Sequence, residues 1–392
     1  MKYVILVSDG MADEPVSELG NRTPLEAART PNMDALTKQA EVFGLARTIP
    51  DGFEPGSDVG NMSIFGYDPK KYYTGRAPIE ALSLGIDLIP SDVAVRCNLV
   101  KLAVKNGQTI MEDYSAGHIS TEKAHELITL LKPALEDESF TLYPGVSYRH
   151  ILLWRQGEDR FRATPPHNIP GQVIDKHLPS GQGSEVLLGL IEKSQKILKN
   201  EQANSIWLWG AGKKPSVPTL QKRFGIQGAV ISAVDLIRGL GICAGLEVIL
   251  VPGATGYLDT NYRGKVEAAL RALQKNDFVS LHIEAPDETG HEGSVSKKVL
   301  AIEDFDSKVV GPLLAGLKTL PDFSLLLMPD HPTPVSIRTH TADPVPFLIY
   351  RKSKSSKITH AQQRFTESFA LKTGILRDEA HHLIEELLQL NN

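Results

Sequence analysis

Cysteine is scarce in this chain of 392 residues: the two present, Cys97 and Cys243, lie far apart and match no metal-ligand spacing. Such usage excludes a disulfide framework and fits a reducing cytoplasm. Long apolar runs are missing as well. No stretch approaches the ~18–20 apolar residues of a membrane span. The N-terminal run Tyr3–Val7 turns polar at Ser8-Asp9-Gly10, too early for a secretory signal. The chain therefore reads as soluble, unexported and cytoplasmic. An excess of one charge is also lacking, because 42 Lys and Arg face 47 Asp and Glu for a net charge of −5. No dominant basic footprint for nucleic acid exists, although a local basic pocket can still hold a small anion. Absent too are internal repeats, low-complexity segments and the Gly-x-x-x-x-Gly-Lys-Ser/Thr loop that cradles nucleotide phosphates.

What remains is an ordinary globular composition, 41% hydrophobic and 23% charged, at a length that suits a large domain plus a smaller one. Short apolar runs recur, each ending in polar residues or glycine. Tyr3–Val7 runs into Ser8-Asp9-Gly10, and Ser205–Trp209 into Gly210-Ala211-Gly212. Val248–Val251 runs into Pro252-Gly253, Phe278–Ile283 into Glu284-Ala285-Pro286-Asp287, and Ser324–Met328 into Pro329-Asp330-His331. Strands buried on both faces have this continuous character. Helical patterns lie between them, at Lys265–Gln274 and Val299–Leu317. The alternation predicts an α/β fold with a mostly parallel central sheet, whose ligands collect beyond the carboxyl ends of the strands.

The middle of the chain differs. Val93–Leu102 and Gln108–Tyr114 read as antiparallel strands around Lys105-Asn106-Gly107, followed by a helix near Thr121–Glu136 and a strand-like stretch at Phe140–Arg155. Residues 91–190 are expected to form a smaller α+β module inserted into a discontinuous domain of residues 1–90 and 191–392.

Asp9, Asp287, His291, Asp330, His331 and His340 all fall at or just after strand ends, so three aspartates and three histidines can converge over one sheet edge. Carboxylate oxygens with imidazole nitrogens suit Zn²⁺ or Mn²⁺, and two such sites can share a substrate oxygen. Each residue alone has an ordinary explanation: a strand-end Asp as turn former, Asp-x-x-x-His as a surface helix pair, His340 as a core histidine. A second feature is Pro55-Gly56-Ser57-Asp58-Val59-Gly60-Asn61-Met62-Ser63. Here Gly56 would allow a tight turn, and a following helix would aim N–H groups at an anion. A serine hydroxyl beside a divalent cation can attack phosphorus, although Ser57 as a helix N-cap is the plain alternative.

The order Asp9, Gly56-Ser57-Asp58, Asp287-x-x-x-His291, Asp330-His331, then His340 before Pro344-Val345-Pro346 resembles the alkaline phosphatase superfamily. Gly66-Tyr67-Asp68-Pro69, Tyr72-Tyr73-Thr74-Gly75-Arg76, Val95-Arg96-Cys97-Asn98, Ser115–Ser120 and Tyr148-Arg149-His150 narrow the resemblance to archaeal-type cofactor-independent phosphoglycerate mutases. The resemblance implies an alkaline-phosphatase-like sandwich with an inserted cap domain that excludes water. It implies one divalent ion on Asp287, His291 and His340, and a second on Asp9, Asp330 and His331. Ser57 would be both ligand and nucleophile at that second ion. Mn²⁺ is favoured, with Zn²⁺, Co²⁺ or Mg²⁺ as alternatives. The expected substrate is a small phosphorylated carboxylate, with Arg76, Arg96, Asp113, His118, Arg149 and His150 as binding residues and a homo-oligomer compatible with the family.

Gly-Ser-Asp-Val-Gly-Asn and Thr-His-Thr-Ala-Asp-Pro-Val-Pro-Phe also resemble a bacterial branch proposed as homoserine kinases. An ATP-dependent homoserine kinase and a metal-dependent phosphatase therefore stand beside the mutase. A catalytically silent scaffold is disfavoured, because it predicts gaps in the ligand set and the set is complete.

Overall fold

The run Phe323–Met328 is buried along its whole length, as are Phe278–Ile283 and Val345–Arg351. Strands covered on both faces belong at the centre of a sheet. In the computed structural model, which describes residues 1–353 and 363–389, they do. The chain divides into two units, Met1–Tyr73 with Val217–Asn392, and Thr74–Ser216.

In the first unit eight strands lie in the order Glu247–Val248, Gly228–Ile231, Phe278–Ile283, Lys2–Ser8, Phe323–Met328, Val345–Arg351, Val42–Ala46, Leu376–Arg377. The first five run parallel, and Val345–Arg351 is antiparallel to both neighbours. Val4, Leu6, Val279, Leu281, Leu325 and Leu327 face a core built with the helices Tyr262–Lys275 and Gly311–Leu317. Ile5, Val7, Leu326 and Ile349 occupy the alternate positions and are equally buried, so both faces are covered. Each such side chain contributes roughly 1.5–3 kcal/mol of burial. Three central strands therefore end at one edge, at Ser8, Ile283 and Met328. The antiparallel strand begins there, at Val345. The expected helix over Val299–Leu317 is interrupted by a π segment at Phe305–Val310, where Asp306 accepts from the backbone N–H groups of Asn32 and Met33.

The second unit is an antiparallel sheet with Val93–Lys105 at its centre. Asn106 and Gly107, at φ 52° and 76°, make the two-residue turn into Gln108–Asp113 that the sequence predicts. Thr121–Leu135 and Ser184–Ile197 supply apolar sides to its core. Three details depart from the sequence reading. Ser205–Lys213 pairs with Val93–Lys105 in this sheet, so the run Ser205–Trp209 does not belong to the parallel one. Helix Arg76–Ser83 packs Ala77 and Ala81 against Ala94, Ile151 and Leu153 of the same unit. The unit therefore spans Thr74–Ser216 rather than 91–190. The stretch Phe140–Arg155 is two strands, Phe140–Tyr143 and Arg149–Trp154.

In the first unit, one ion pair fixes the loops at the edge where the central strands end. Lys298, fully buried, donates to Asp13 Oδ2 at 2.7 Å, Thr333 O at 2.7 Å and Ala12 O at 3.2 Å. All three ammonium protons are used, and they tie the loop after the first strand to the loop after Phe323–Met328. Lys298→Met leaves Asp13 as a buried charge without its counter-ion. It is expected to cost about 3–5 kcal/mol in urea unfolding; a loss below 1 kcal/mol would show that the pair does not anchor these loops.

Candidate metal centre and nucleophile

Asp9 follows directly on strand Lys2–Ser8, and Asp330 and His331 lie just beyond Met328. Asp287 and His291 are one turn apart on helix Ala285–His291, so their side chains share a face. Gly10, at φ +60°, lets the first strand's end run beneath that helix, where a Cβ would lie 2.7 Å from Asp287 Cα. Ser57 is the first residue of helix Ser57–Ile64 rather than its cap. The cap position is Gly56, whose φ of 179° is extended backbone, so no left-handed turn is needed there. The helix lies close on the sheet edge, because a Cβ at Gly60 would sit 2.7 Å from Asp330 O.

The structure brings all seven expected residues together within this unit. Ser57 Oγ lies 3.1 Å from His331 Nε2, which is 3.4 Å from Asp9 Oδ1 and 3.5 Å from Asp330 Oδ2. On the other side, His291 Nε2 is 3.0 Å from His340 Nε2, and Asp287 faces both rings at 3.2 and 3.4 Å. Each ring turns Nδ1 to a carbonyl: His291 to Arg338 O, His331 to Pro332 O, His340 to Pro55 O. A carbonyl only accepts, so Nδ1 carries the proton and Nε2 presents a lone pair inward. Metal-ligating histidines are oriented in this way. Arg338 reaches its position with φ 57°, a strained value for a residue with a Cβ. Asp330 is fixed as firmly: Oδ1 accepts from Gly10 N and His331 N, Oδ2 from Asn61 Nδ2 at 2.7 Å.

Charge in this space is out of balance. Burial, then Asp330 and Asp287, push the Asp9 carboxyl well above its usual range. Burial also acts to raise Asp287, but His340 and His291 outweigh it and hold that carboxyl well below the usual range. Burial lowers the His331 imidazole to about 4. For His291 burial is overcome by Asp287, and the ring is lifted to about 9. A proton between His291 and His340 thus stands where their lone pairs would otherwise oppose each other. Asp9 Oδ1 has no hydrogen-bond partner among the described residues. Groups able to hold an ion form at Asp287–His291–His340 and around Asp9 with His331, Asp330, Asp287 and His282. Buried carboxylates and Nε2 lone pairs are the donor set that a pair of divalent cations requires, so the residues present fit the expected ions.

The chain was compared with known proteins. The model of the 2,3-bisphosphoglycerate-independent phosphoglycerate mutase family matches residues 39–204. A probable mutase of that name from Geobacter sulfurreducens is 50% identical, over 99% of this chain and all of the relative. Another from Methanosarcina acetivorans is 53% identical, over 90% of this chain and 91% of the relative. This chain belongs to that family. Among solved structures, a protein from Pyrococcus horikoshii is similar at TM-score 0.80 and 28% identity, covering 99% of this chain and 97% of its own. The cofactor-independent phosphoglycerate mutase of Thermoplasma acidophilum is similar at TM-score 0.64 and 26% identity over the whole of both chains.

The residues expected to bind substrate lie in the second unit and divide into two groups. Arg76 and Arg96 flank Glu80 at 2.8 and 3.1 Å, with Arg96 also over the Trp209 ring. Burial lowers the Arg96 guanidinium to about 10, against the opposing charge of Glu80. Arg149 lies over Tyr148 and, like His118, is exposed. Asp113 commits both oxygens to the turn at Ser115 and Gly117. His150 is buried, with Nδ1 accepting from Gly145 N. Sequence reasoning missed other residues near the family's expected ligands: Asn61, four residues beyond Ser57, Thr333, which donates to Asp287, and His282 inside a buried strand. A histidine in an otherwise apolar run was the available signal for the last.

The raised His291 adds to the stability of the ion-free protein below pH 6.5, its unfolded value, and that addition is lost as pH rises through about 9. An ion on Nε2 must displace this proton. Calorimetric Mn²⁺ titrations at pH 7 in buffers of different ionisation enthalpy are expected to show about one proton released at this site, with affinity rising toward pH 9. A release of zero would show that His291 is already neutral.

Proposed function

We propose that the chain is a cytoplasmic cofactor-independent phosphoglycerate mutase that interconverts 3-phosphoglycerate and 2-phosphoglycerate through a phosphoserine at Ser57. The observation that carries this reading is Ser57 Oγ, at the start of a helix and 3.1 Å from His331 Nε2, inside a ring of inward lone pairs and carboxylates. Whole-length identity to relatives named as such mutases supports the substrate.

Asp287, His291 and His340 would hold one divalent ion, and Asp9, Asp330, His331 and Ser57 the other, with Mn²⁺ favoured. When bound, such ions supply charge neutralisation for phosphoryl oxygens and make a serine hydroxyl easier to deprotonate. The remaining chemistry belongs to the chain. Ser57 Oγ gives up its proton and forms a bond to phosphorus as the bond between phosphorus and the glycerate C3 oxygen breaks, and the departing oxygen takes up a proton. The glycerate turns, its C2 hydroxyl gives up a proton and attacks phosphorus, the bond from phosphorus to Ser57 Oγ breaks, and Ser57 regains its proton. Backbone N–H groups at the start of helix Ser57–Ile64 favour an anion at this position. Arg76, Arg96 and Arg149 offer planar forks that pair with carboxylate or phosphate, and exposed His118 adds a donor. Asp113 and His150 act by shaping the loops around them.

Mn²⁺-loaded protein given 3-phosphoglycerate, followed by ³¹P NMR, is expected to form 2-phosphoglycerate without nucleotide and with little free phosphate. Phosphohomoserine formed from homoserine and ATP instead, or phosphate as the main product, would overturn the mutase reading. Ser57→Ala should lower turnover on the order of 10⁴-fold or more, while keeping the fold by circular dichroism.

A further inference from the structure

His282 is not among the ligands expected from the sequence. It sits in the middle of the parallel sheet, on strand Phe278–Ile283, and is fully buried. Its Nε2 lies 3.4 Å from Asp9 Oδ2 and has no hydrogen-bond partner among the described residues. A nitrogen of this ring, an Asp9 oxygen and an Asp330 oxygen all lie within 4.8 Å of one another.

The other ring nitrogen reveals the tautomer. Nδ1 is 3.5 Å from both Ser232 Oγ and Glu284 Oε1. Ser232 Oγ gives its one proton to Glu284 Oε1 at 2.9 Å, so it faces the ring as an acceptor. Glu284 is held in turn by the N–H of Ala233 and by Lys265, which is fully buried and also donates to the His282 carbonyl. Every polar group around Nδ1 therefore accepts, and Nδ1 carries the proton. Nε2 is left as a lone pair opposite a carboxylate, two acceptors facing each other in a buried space. His291, His331 and His340 have the same arrangement, Nδ1 to an acceptor and Nε2 inward.

We propose that His282 is a fourth histidine ligand, binding through Nε2 the cation held by Asp9 and Asp330, with Ser232, Glu284 and Lys265 as positioning residues behind it. This rests on the two-ion reading above. A purely structural histidine would leave its inward nitrogen and Asp9 Oδ1 both without a partner. A ligand satisfies both through one ion.

The test uses the full chain, stripped with chelator and titrated with Co²⁺ by calorimetry and visible absorption. Wild type is expected to take up two ions; failure to do so would sink the two-ion reading itself, an outcome distinct from any effect of changing His282. His282→Gln keeps an amide that can donate to Asp9, so it would preserve a merely structural role, but it removes the imidazole. One ion should then bind as in wild type, while the other weakens roughly 10–100-fold and its absorption band changes. Two ions with wild-type affinity and an unaltered spectrum would overturn the proposal. Should the variant not fold, Zn²⁺-loaded wild type with ¹⁵N-labelled histidine gives the same answer by NMR. Four metal-bound Nε2 signals support the assignment, and three refute it.

Discussion

Three aspartates forced into one buried space are the constraint on which the rest of this site depends. Asp9, Asp287 and Asp330 end up together because the strands before them are neighbours in a parallel sheet. Their side chains leave water with less than a tenth of their residues' surface exposed. Carboxylates in such a place lose their hydration and repel one another; burial first, then Asp330 and Asp287, raise the Asp9 carboxyl. Among the described residues no lysine pairs with any of the three. Lys298 and Lys265 are buried close by, yet each is committed to a different acid, Asp13 and Glu284. The excess of negative charge is built in, and it suits these groups to holding a cation.

Rigidity comes from the same arrangement. Most of the inward groups are held from behind: carbonyls hold His291, His331 and His340, two N–H groups and Asn61 hold Asp330, and Thr333 holds Asp287. A ligand set fixed in this way needs little reorganisation when an ion arrives. The tight contact of Gly60 with the Asp330 carbonyl brings Ser57 into the same frame, since any larger residue would lift its helix away from the sheet edge.

Much of this was legible in the sequence, for a physical reason. Strands buried on both faces read as unbroken apolar runs, and the polar residue that ends each run marks the edge where the acids gather, as at Asp9 and Asp330. The same signal misled at Ser205–Lys213. An apolar run reports burial and says nothing of the neighbour's direction, so a strand of the antiparallel unit looked like one of the parallel sheet. Boundaries of the second unit were hidden for a related reason, because helix Arg76–Ser83 joins it through alanines that carry no distinctive pattern. His282 escaped notice because a run ending in obvious acids draws attention to its end, whereas this residue lies within. Gly56 shows that a glycine before a helix-starting serine need not mean a left-handed turn.

The parallel pairing of the first strand has a consequence for synthesis. Tyr3 pairs with Phe278, so 278 − 3 = 275 residues separate the partners. At ~5–20 residues per second a ribosome needs roughly 14–55 s to cover that distance. Throughout that time Val4–Val7, fully buried in the finished sheet, lack both of their neighbours. The second unit, whose strands pair with one another among the described residues, has all of these strands once Ser216 is made. The apolar first strand is therefore made long before the two strands that cover its edges.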